Sequence, residues 1–484
     1  MSISNDNMIM KESNADTHDQ NPVKIVSTED KNVNEVLSSV EVLSSNTSTE
    51  VSTSNTETKQ DFTRSNITTL GNLVHLVDSD DDNKLDMFCY VKCSEEDNEL
   101  IKECRGVVFH GDKLIMKAFA YTTEYNHTEV DNIRKKIGDL KNWKFFEAHE
   151  GTLLRVFNFN GKWYVSTHRK LDAFRSKWAS RESFGTAFTS ALSSEEEVNE
   201  KFKNGLPKGD NILERFQSTL DINKQYMFLI RNNKNNRIVC DPPDRPTVYH
   251  VGTFVDGKLV MNDNVNIPFP NELNFDSIDK LISHVNTSSY RLLQGVIGFT
   301  SDNKQLKIVH EDYQDLFRAR GNEPSIKFRY LQVRMNRRYV NMLYYLYPDM
   351  VDIFDEYENT LYDIARNIYR AYVQRFIKKR YVTVPREEFA IIRECHSWHL
   401  SNRTENRISL NQVFKVMNQQ SPTHLNHMMR RFKLEQNHQK EHQLASRPRT
   451  ESIRSTRSFE KSPAPRNINN KQSISPLILS QNSR

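Results

Sequence analysis

Through the middle of the chain, short apolar runs are separated by tight-turn residues. Residues 154–159 and 162–167 flank Asn160-Gly161, a pair suited to a two-residue hairpin turn. Residues 249–255 and 258–261 flank Asp256-Gly257, 107–109 and 114–117 flank Gly111-Asp112, and 295–300 and 305–309 flank Ser301-Asp302-Asn303. Short strands joined this way predict antiparallel sheet. Helical stretches interrupt them near 128–140, 184–191 and 278–284. The pattern is α+β rather than alternating β and α. From about Glu311 the period changes. Phe354, Tyr357, Leu361, Ile364, Ile368, Tyr372 and Phe376 recur every three or four residues and predict a helix with one apolar face. Pro348 sits at its start, where proline is tolerated, and its end carries Arg375, Lys378, Lys379 and Arg380, which complement the helix dipole. Pro385 opens a second helix through His399.

Composition divides the chain further. Its 484 residues have room for two or three domains, but 37% apolar and 27% charged content implies that part of the length is not globular. Residues 1–63 are poor in aromatics and hold 4 Lys/Arg against 11 Asp/Glu, a balance of −7. Residues 430–484 hold 12 Lys/Arg against 4 Asp/Glu, a balance of +8, although the formal net charge is only +4. Such ends bury too little apolar surface to offset chain entropy and are expected to be disordered. The expected organisation is a disordered acidic tail over 1–63, an α+β core over 64–315, a helical basic domain over 316–432 and a disordered basic tail over 433–484. No run is long and apolar enough to span a membrane. The polar N-terminal residues do not read as a secretory signal, and five cysteines without framework spacing fit a reducing compartment. These features point to an intracellular protein, cytoplasmic or nuclear, that is not secreted.

Between Cys104 and His310 runs an ordered series of motifs: Arg105-Gly106-Val107-Val108-Phe109, Glu147-Ala148-His149-Glu150-Gly151-Thr152, Phe228-Leu229-Ile230, Asn236-Arg237-Ile238-Val239, Gln294-Gly295-Val296-Ile297 and Leu306-Lys307-Ile308-Val309. Order and spacing resemble the ATP-dependent RNA ligases of the T-even phage tRNA-repair type, within the covalent nucleotidyltransferase superfamily. The resemblance covers about 200 residues. It implies an antiparallel RNA ligase-like core, followed here by an all-helical C-terminal part. In that family a Lys-x-Asp-Gly motif carries the lysine that becomes adenylylated, and ATP and magnesium serve as cofactors.

Against that pattern the chemistry is depleted. Ala148 stands where the resemblance places the nucleophilic lysine, Leu229 and Gln294 where it places carboxylates, and Val309 where it places a second lysine. Phosphoryl transfer depends on positioning and charge neutralisation, so each loss is separately costly. Lys144 lies four residues from Ala148, roughly 13 Å along a strand; Lys162 and Lys170 lie across or beyond the hairpin. Glu150 and Lys307 are the candidate catalytic residues if activity survives. Arg105, Gly106, Gly151 and Lys307 are the candidate nucleotide-binding residues. Arg237 reads as a turn residue with a structural role.

Beyond the resemblance, 318–338 is densely basic: Arg318, Arg320, Lys327, Arg329, Arg334, Arg337 and Arg338, with Phe328 and Tyr330 interleaved. Arginines with aromatics suit single-stranded RNA, where guanidinium meets phosphate and rings stack on bases. The competing reading is a helix packed on its apolar face with its arginines in water. Cys395-His396-Ser397-Trp398-His399 lacks a fourth ligand for zinc, so no metal site is assigned. Three functions stand side by side. The first is a catalytically inactive pseudo-ligase that binds RNA, single-stranded or tRNA-like, or a nucleotide. The second is an active ATP-dependent ligase with displaced groups, using ATP and Mg. The third is a protein-interaction scaffold whose tails dock partners.

Overall fold

The computed structural model describes residues 62–232, 237–261 and 263–445. The chain divides into two units, Met1–Met429 and Arg430–Arg484. In the first, fourteen strands form three sheets among the described residues. Strands β1 (Val74–Asp80), β2 (Leu85–Tyr90), β3 (Arg105–His110) and β4 (Lys113–Met116) make an antiparallel meander. Strands β5 (Thr122–Asn126), β6 (Lys144–Ala148), β12 (Glu272–Leu273), β13 (Gly295–Phe299) and β14 (Gln305–Val309) form a second sheet in the order β12-β6-β13-β14-β5. Its pairings are antiparallel except β14 with β5. Strands β7 (Thr152–Phe159), β8 (Lys162–Ser166), β9 (Gln225–Arg231), β10 (Thr247–Val255) and β11 (Lys258–Val260) form the third, in the order β11-β10-β9-β7-β8, antiparallel throughout.

The expected hairpins form where the turn residues stand. Asn160 and Gly161 adopt φ of 51° and 82°, and Asp256 and Gly257 adopt 48° and 73°. Both central positions are left-handed, the geometry whose twist matches the flanking strands.

Period-two alternation sets the layers. Phe145, Val296, Leu306 and Ile308 face the helices Val130–Ile137 and Ile278–Thr287, where Ile133, Ile137, Leu281 and Val285 cover them. Phe146 and Phe299 face the other way. They join Phe157, Met227 and Phe254 of the third sheet, and Met87 and Val108 of the meander, in one core. The far side of the third sheet packs Val156, Phe228 and Val248 against Phe188 and Leu192 of the helix Phe184–Val198. The second and third sheets, with the meander, thus share a core that opens at one end.

After β14 every described element is helical. The stripe read from the sequence folds as the helix Val351–Tyr372, preceded by a 3₁₀ turn at Pro348–Met350 and continued by a π turn at Val373–Ile377. Phe354, Leu361, Ile364, Ile368 and Tyr372 are buried. The helix expected after Pro385 runs Arg386–Ser401. The final helix, Pro422–Ala445, passes residue 433, where a disordered tail was expected to begin. Leu425, Met428 and Met429 are buried at its start, and the Lys, Glu and Gln residues from 433 on are good helix formers. The remaining tail, 446–484, and residues 1–61 lie outside the described residues.

Candidate functional site: a cleft between two sheets

Where the shared core opens, β5, β6, β13 and β14 face β7, β9 and β10 across a cleft of about 190 Å³. Its walls are largely apolar, with Phe119, Phe146, Leu153, Leu229, Phe269 and Phe299 among them. The charged groups lining it are two cations, Arg105 and Lys307, and two carboxylates, Glu124 and Glu147. Ala148, Gly151, Leu229 and Gln294 line it too, so five of the six sequence motifs converge on one place, all but Asn236-Arg237-Ile238-Val239.

The register explains the convergence. Ala148 ends β6 opposite Gly295, and its carbonyl accepts from the Gln294 N–H at 2.8 Å. Leu229 lies between Leu153 and Tyr249 on the facing sheet. Lys307 pairs with Glu124 in the parallel ladder, and its Nζ lies 2.5 Å from the Glu124 carboxylate with both side chains mostly covered. Lys307 is therefore neutralised by a neighbour that the sequence reading did not single out. Only the parallel β14–β5 contact, 183 residues apart in the chain, brings the two together.

His149 is a second residue that sequence reasoning missed. Its ring stacks on Tyr249 with centroids 4.6 Å apart and planes 5° apart. Burial, helped by nearby Arg231, pushes its pKa down to about 4, so the imidazole is neutral at physiological pH. Nε2 lies 3.5 Å from the Glu147 carboxylate, which also accepts from Asn271 at 2.9 Å. Nδ1 is buried without a hydrogen-bond partner in the protein. The residue lines the cleft, but this atom is covered.

Other expected site residues are placed elsewhere. Glu150 turns away from the cleft, and its carboxylate accepts from the N–H groups of Ile238, Val239 and Cys240 at 2.9–3.1 Å and from the Tyr313 hydroxyl at 3.3 Å. Burial pushes its pKa up while the backbone donors hold it back. Glu150 is a structural tie, not a catalytic candidate, because every oxygen is already spoken for by the fold. Arg237 belongs to the same tie, bonding the Leu346 carbonyl at 2.9 Å and Asp241 at 3.0 Å. Asn236 lies outside the described residues. Gly106 backs onto buried Arg155, whose guanidinium donates to the Arg105 and Gly106 carbonyls; a Cβ there would lie 2.5 Å from Arg155 Nη1. Gly151 does line the cleft, but a Cβ would also lie 2.5 Å from the Ile230 carbonyl, so strand packing alone requires glycine.

The alternative lysines are not in the cleft. Lys162 pairs with Asp80 at 3.0 Å, Lys170 lies 3.7 Å from Asp78, and Lys144 is exposed at the far end of β6.

The basic segment 318–338 is mostly consumed by the fold. Arg320 is 1% exposed and donates to the Tyr347 hydroxyl and to the Gly321 and Glu323 carbonyls. Arg329 binds the Ala319 and Arg318 carbonyls. Arg334 makes a two-point pair with Glu358 at 2.6 and 2.8 Å and reaches Asn418. Arg318 and Arg338 share Asp315. Tyr330 is 3% exposed and stacks on Phe354, while Phe328 is half-buried. Arg320, Arg334 and Tyr330 therefore cannot meet RNA without unfolding their surroundings, which corrects the expectation for them. Lys327 and Arg337 remain exposed.

A metal does not fit the cleft. Glu124 is committed to Lys307 and Glu147 to Asn271, and Leu229 and Gln294 offer no charge. Among the described residues no group of three or more His, Cys, Asp and Glu side chains is placed to hold a metal ion. No helix among them is long and apolar enough to cross a membrane.

No family model matches the chain. In sequence it is similar to an immediate-early protein ICP-46 homolog of Invertebrate iridescent virus 6, 27% identical over 370 residues, covering 72% of this chain and 80% of that protein. The corresponding homolog of Invertebrate iridescent virus 3 is 27% identical over 290 residues, with 58% and 62% covered. A candidate bifunctional polynucleotide kinase/RNA ligase of Autographa californica nuclear polyhedrosis virus is 21% identical over 280 residues, covering 54% of this chain but 37% of that protein. The structural neighbours are ATP-dependent RNA and DNA ligases. They include an archaeal ATP-dependent RNA ligase (12% identity, 57% of this chain and 68% of the other, TM-score 0.34) and a Naegleria gruberi RNA ligase with pyrophosphate (13%, 43% and 60%, TM-score 0.28).

Proposed function

We propose that this chain is an RNA ligase-like protein that has lost self-adenylylation and uses its cleft to bind a nucleoside or nucleoside monophosphate without covalent transfer, within an intracellular RNA-binding role. One observation carries the reading: the only lysine lining the cleft among the described residues, Lys307, is ion-paired with Glu124. The sequence similarity to a candidate RNA ligase supports the same direction.

Charge sets the ligand class. Two cations balanced by two carboxylates leave little to neutralise a triphosphate, and the carboxylates are not free for a metal. Apolar walls suit a base, and Arg105 suits one phosphate.

The test is incubation with α-labelled ATP and magnesium or manganese, followed by a denaturing gel. No labelled protein is expected, and none from Ala148→Lys either, because Leu229 and Gln294 still withhold the carboxylates. Equilibrium dialysis should show adenosine monophosphate binding that is indifferent to magnesium. A covalent label on any lysine, or binding that requires magnesium, would overturn the reading.

A further inference from the structure

The π turn Val373–Ile377 and the residues after it form a basic surface that the fold leaves unsatisfied. Lys378, Lys379 and Arg380 are exposed, and none has a carboxylate partner among the described residues. Tyr381 is 91% exposed and Ile377 65%. The turn itself is tied down, since the Lys378 N–H donates to the Val373 carbonyl and the Arg380 N–H to the Gln374 carbonyl, each at 2.9 Å. Its side chains are therefore presented from an ordered backbone.

Arg403 is exposed on the loop after the helix Arg386–Ser401. Its charge and that of Lys379 both act on His396, whose pKa is lowered first by burial and then by His399, Lys379 and Arg403. His396 in turn stacks on Phe376 at 3.8 Å. Glu405, the nearest acidic residue in the Arg403 loop, is held by the Asn402 side chain at 2.9 Å. Cations at a helix end complement its dipole, but that effect does not call for an exposed ring beside them.

We propose that Lys378, Lys379 and Arg380, with Tyr381, form a binding surface for single-stranded nucleic acid, the cations meeting phosphates and the ring stacking on an unpaired base. The contrast with 318–338 is direct: there Arg320, Arg329 and Arg334 are bonded within the fold, whereas Lys378, Lys379 and Arg380 are exposed. One exposed isoleucine and one ring are too little apolar surface to insert in a membrane, whereas they match the mixed electrostatic and stacking demand of an unpaired strand. The inference deepens the RNA-binding part of the proposed function and is independent of what the cleft holds.

The experiment is fluorescence anisotropy of the full chain with a labelled single-stranded RNA 12-mer over a range of salt, beside a DNA 12-mer of the same sequence. Replacing Lys378, Lys379 and Arg380 together by Ala should lower the slope of log affinity against log salt by about 2, at ~0.7 per phosphate. Tyr381→Ala should weaken binding roughly 5- to 150-fold with the slope unchanged. Thermal stability should hold in both variants, because the side chains are exposed. Lys144→Ala, an exposed lysine at the far end of β6, is the control and should leave the slope alone. An unchanged slope in the triple variant, or an unchanged affinity in Tyr381→Ala, overturns the proposal. So does a triple variant that loses binding to phosphatidylserine vesicles while keeping its RNA affinity. Adenosine monophosphate binding measured on the same variants should be unaffected, which separates this surface from the cleft.

Discussion

Glu150 sits where a nucleotide-transferring site would be expected to keep a carboxylate, yet it gathers three backbone N–H groups and a tyrosine hydroxyl. Glu150→Ala leaves those buried donors unpaired and is expected to destabilise the fold by about 3–5 kcal/mol. Urea denaturation would measure this, and Glu150→Gln, which keeps an acceptor oxygen, should lose less. A change in nucleotide affinity at unchanged stability would return the residue to the cleft. The same local sequence also shows how far residues can be read in isolation. Ala148 could be set in a motif frame from the sequence because Glu150 and Gly151 follow it. The direction Glu150 faces was not legible there, because its donors lie about 90 residues away at Ile238, Val239 and Cys240.

At the level of elements, local rules served well where local physics decides. Asn160-Gly161 and Asp256-Gly257 need left-handed backbone, and that preference is written in the dipeptide. The stripe from Phe354 to Tyr372 is likewise a property of one helix, and it is buried as its period requires. The segment 318–338 misled for the opposite reason. Its arginines look alike in sequence, and only the packing of three helices distinguishes Arg334, bonded to Glu358 and Asn418, from exposed Arg337. Arg334→Ala should therefore destabilise the helical part by about 2 kcal/mol, a figure tempered by the partial exposure of Glu358. The salt slope of RNA binding should not move. A lowered slope at unchanged melting temperature would restore Arg334 to the RNA surface.

Across the whole molecule, two buried histidines couple folding to acidity. His149 and His250 are both pushed down to about 4 by burial, against an ordinary value of 6.5. Above pH 6.5 neither state takes up the proton. Between 6.5 and 4 the unfolded chain does and the folded chain does not, so stability falls with pH across that window. The pair should account for a loss on the order of a few kcal/mol between pH 7.5 and 4.5, read as a shift in urea midpoint. His149→Phe, which keeps an aromatic stack on Tyr249, should flatten the dependence; an equally steep profile would locate its origin elsewhere. The parallel pairing of β14 with β5 has a consequence for biosynthesis. Glu124 meets Lys307 across 183 residues of chain, so β5 leaves the ribosome long before its partner exists. At roughly 5–20 residues per second, the strand waits about ten to forty seconds with its edge open. During that interval the meander is already complete and the third sheet is completed at Val260, while β5 has no partner until β14 is made, a state in which a chaperone would find its client.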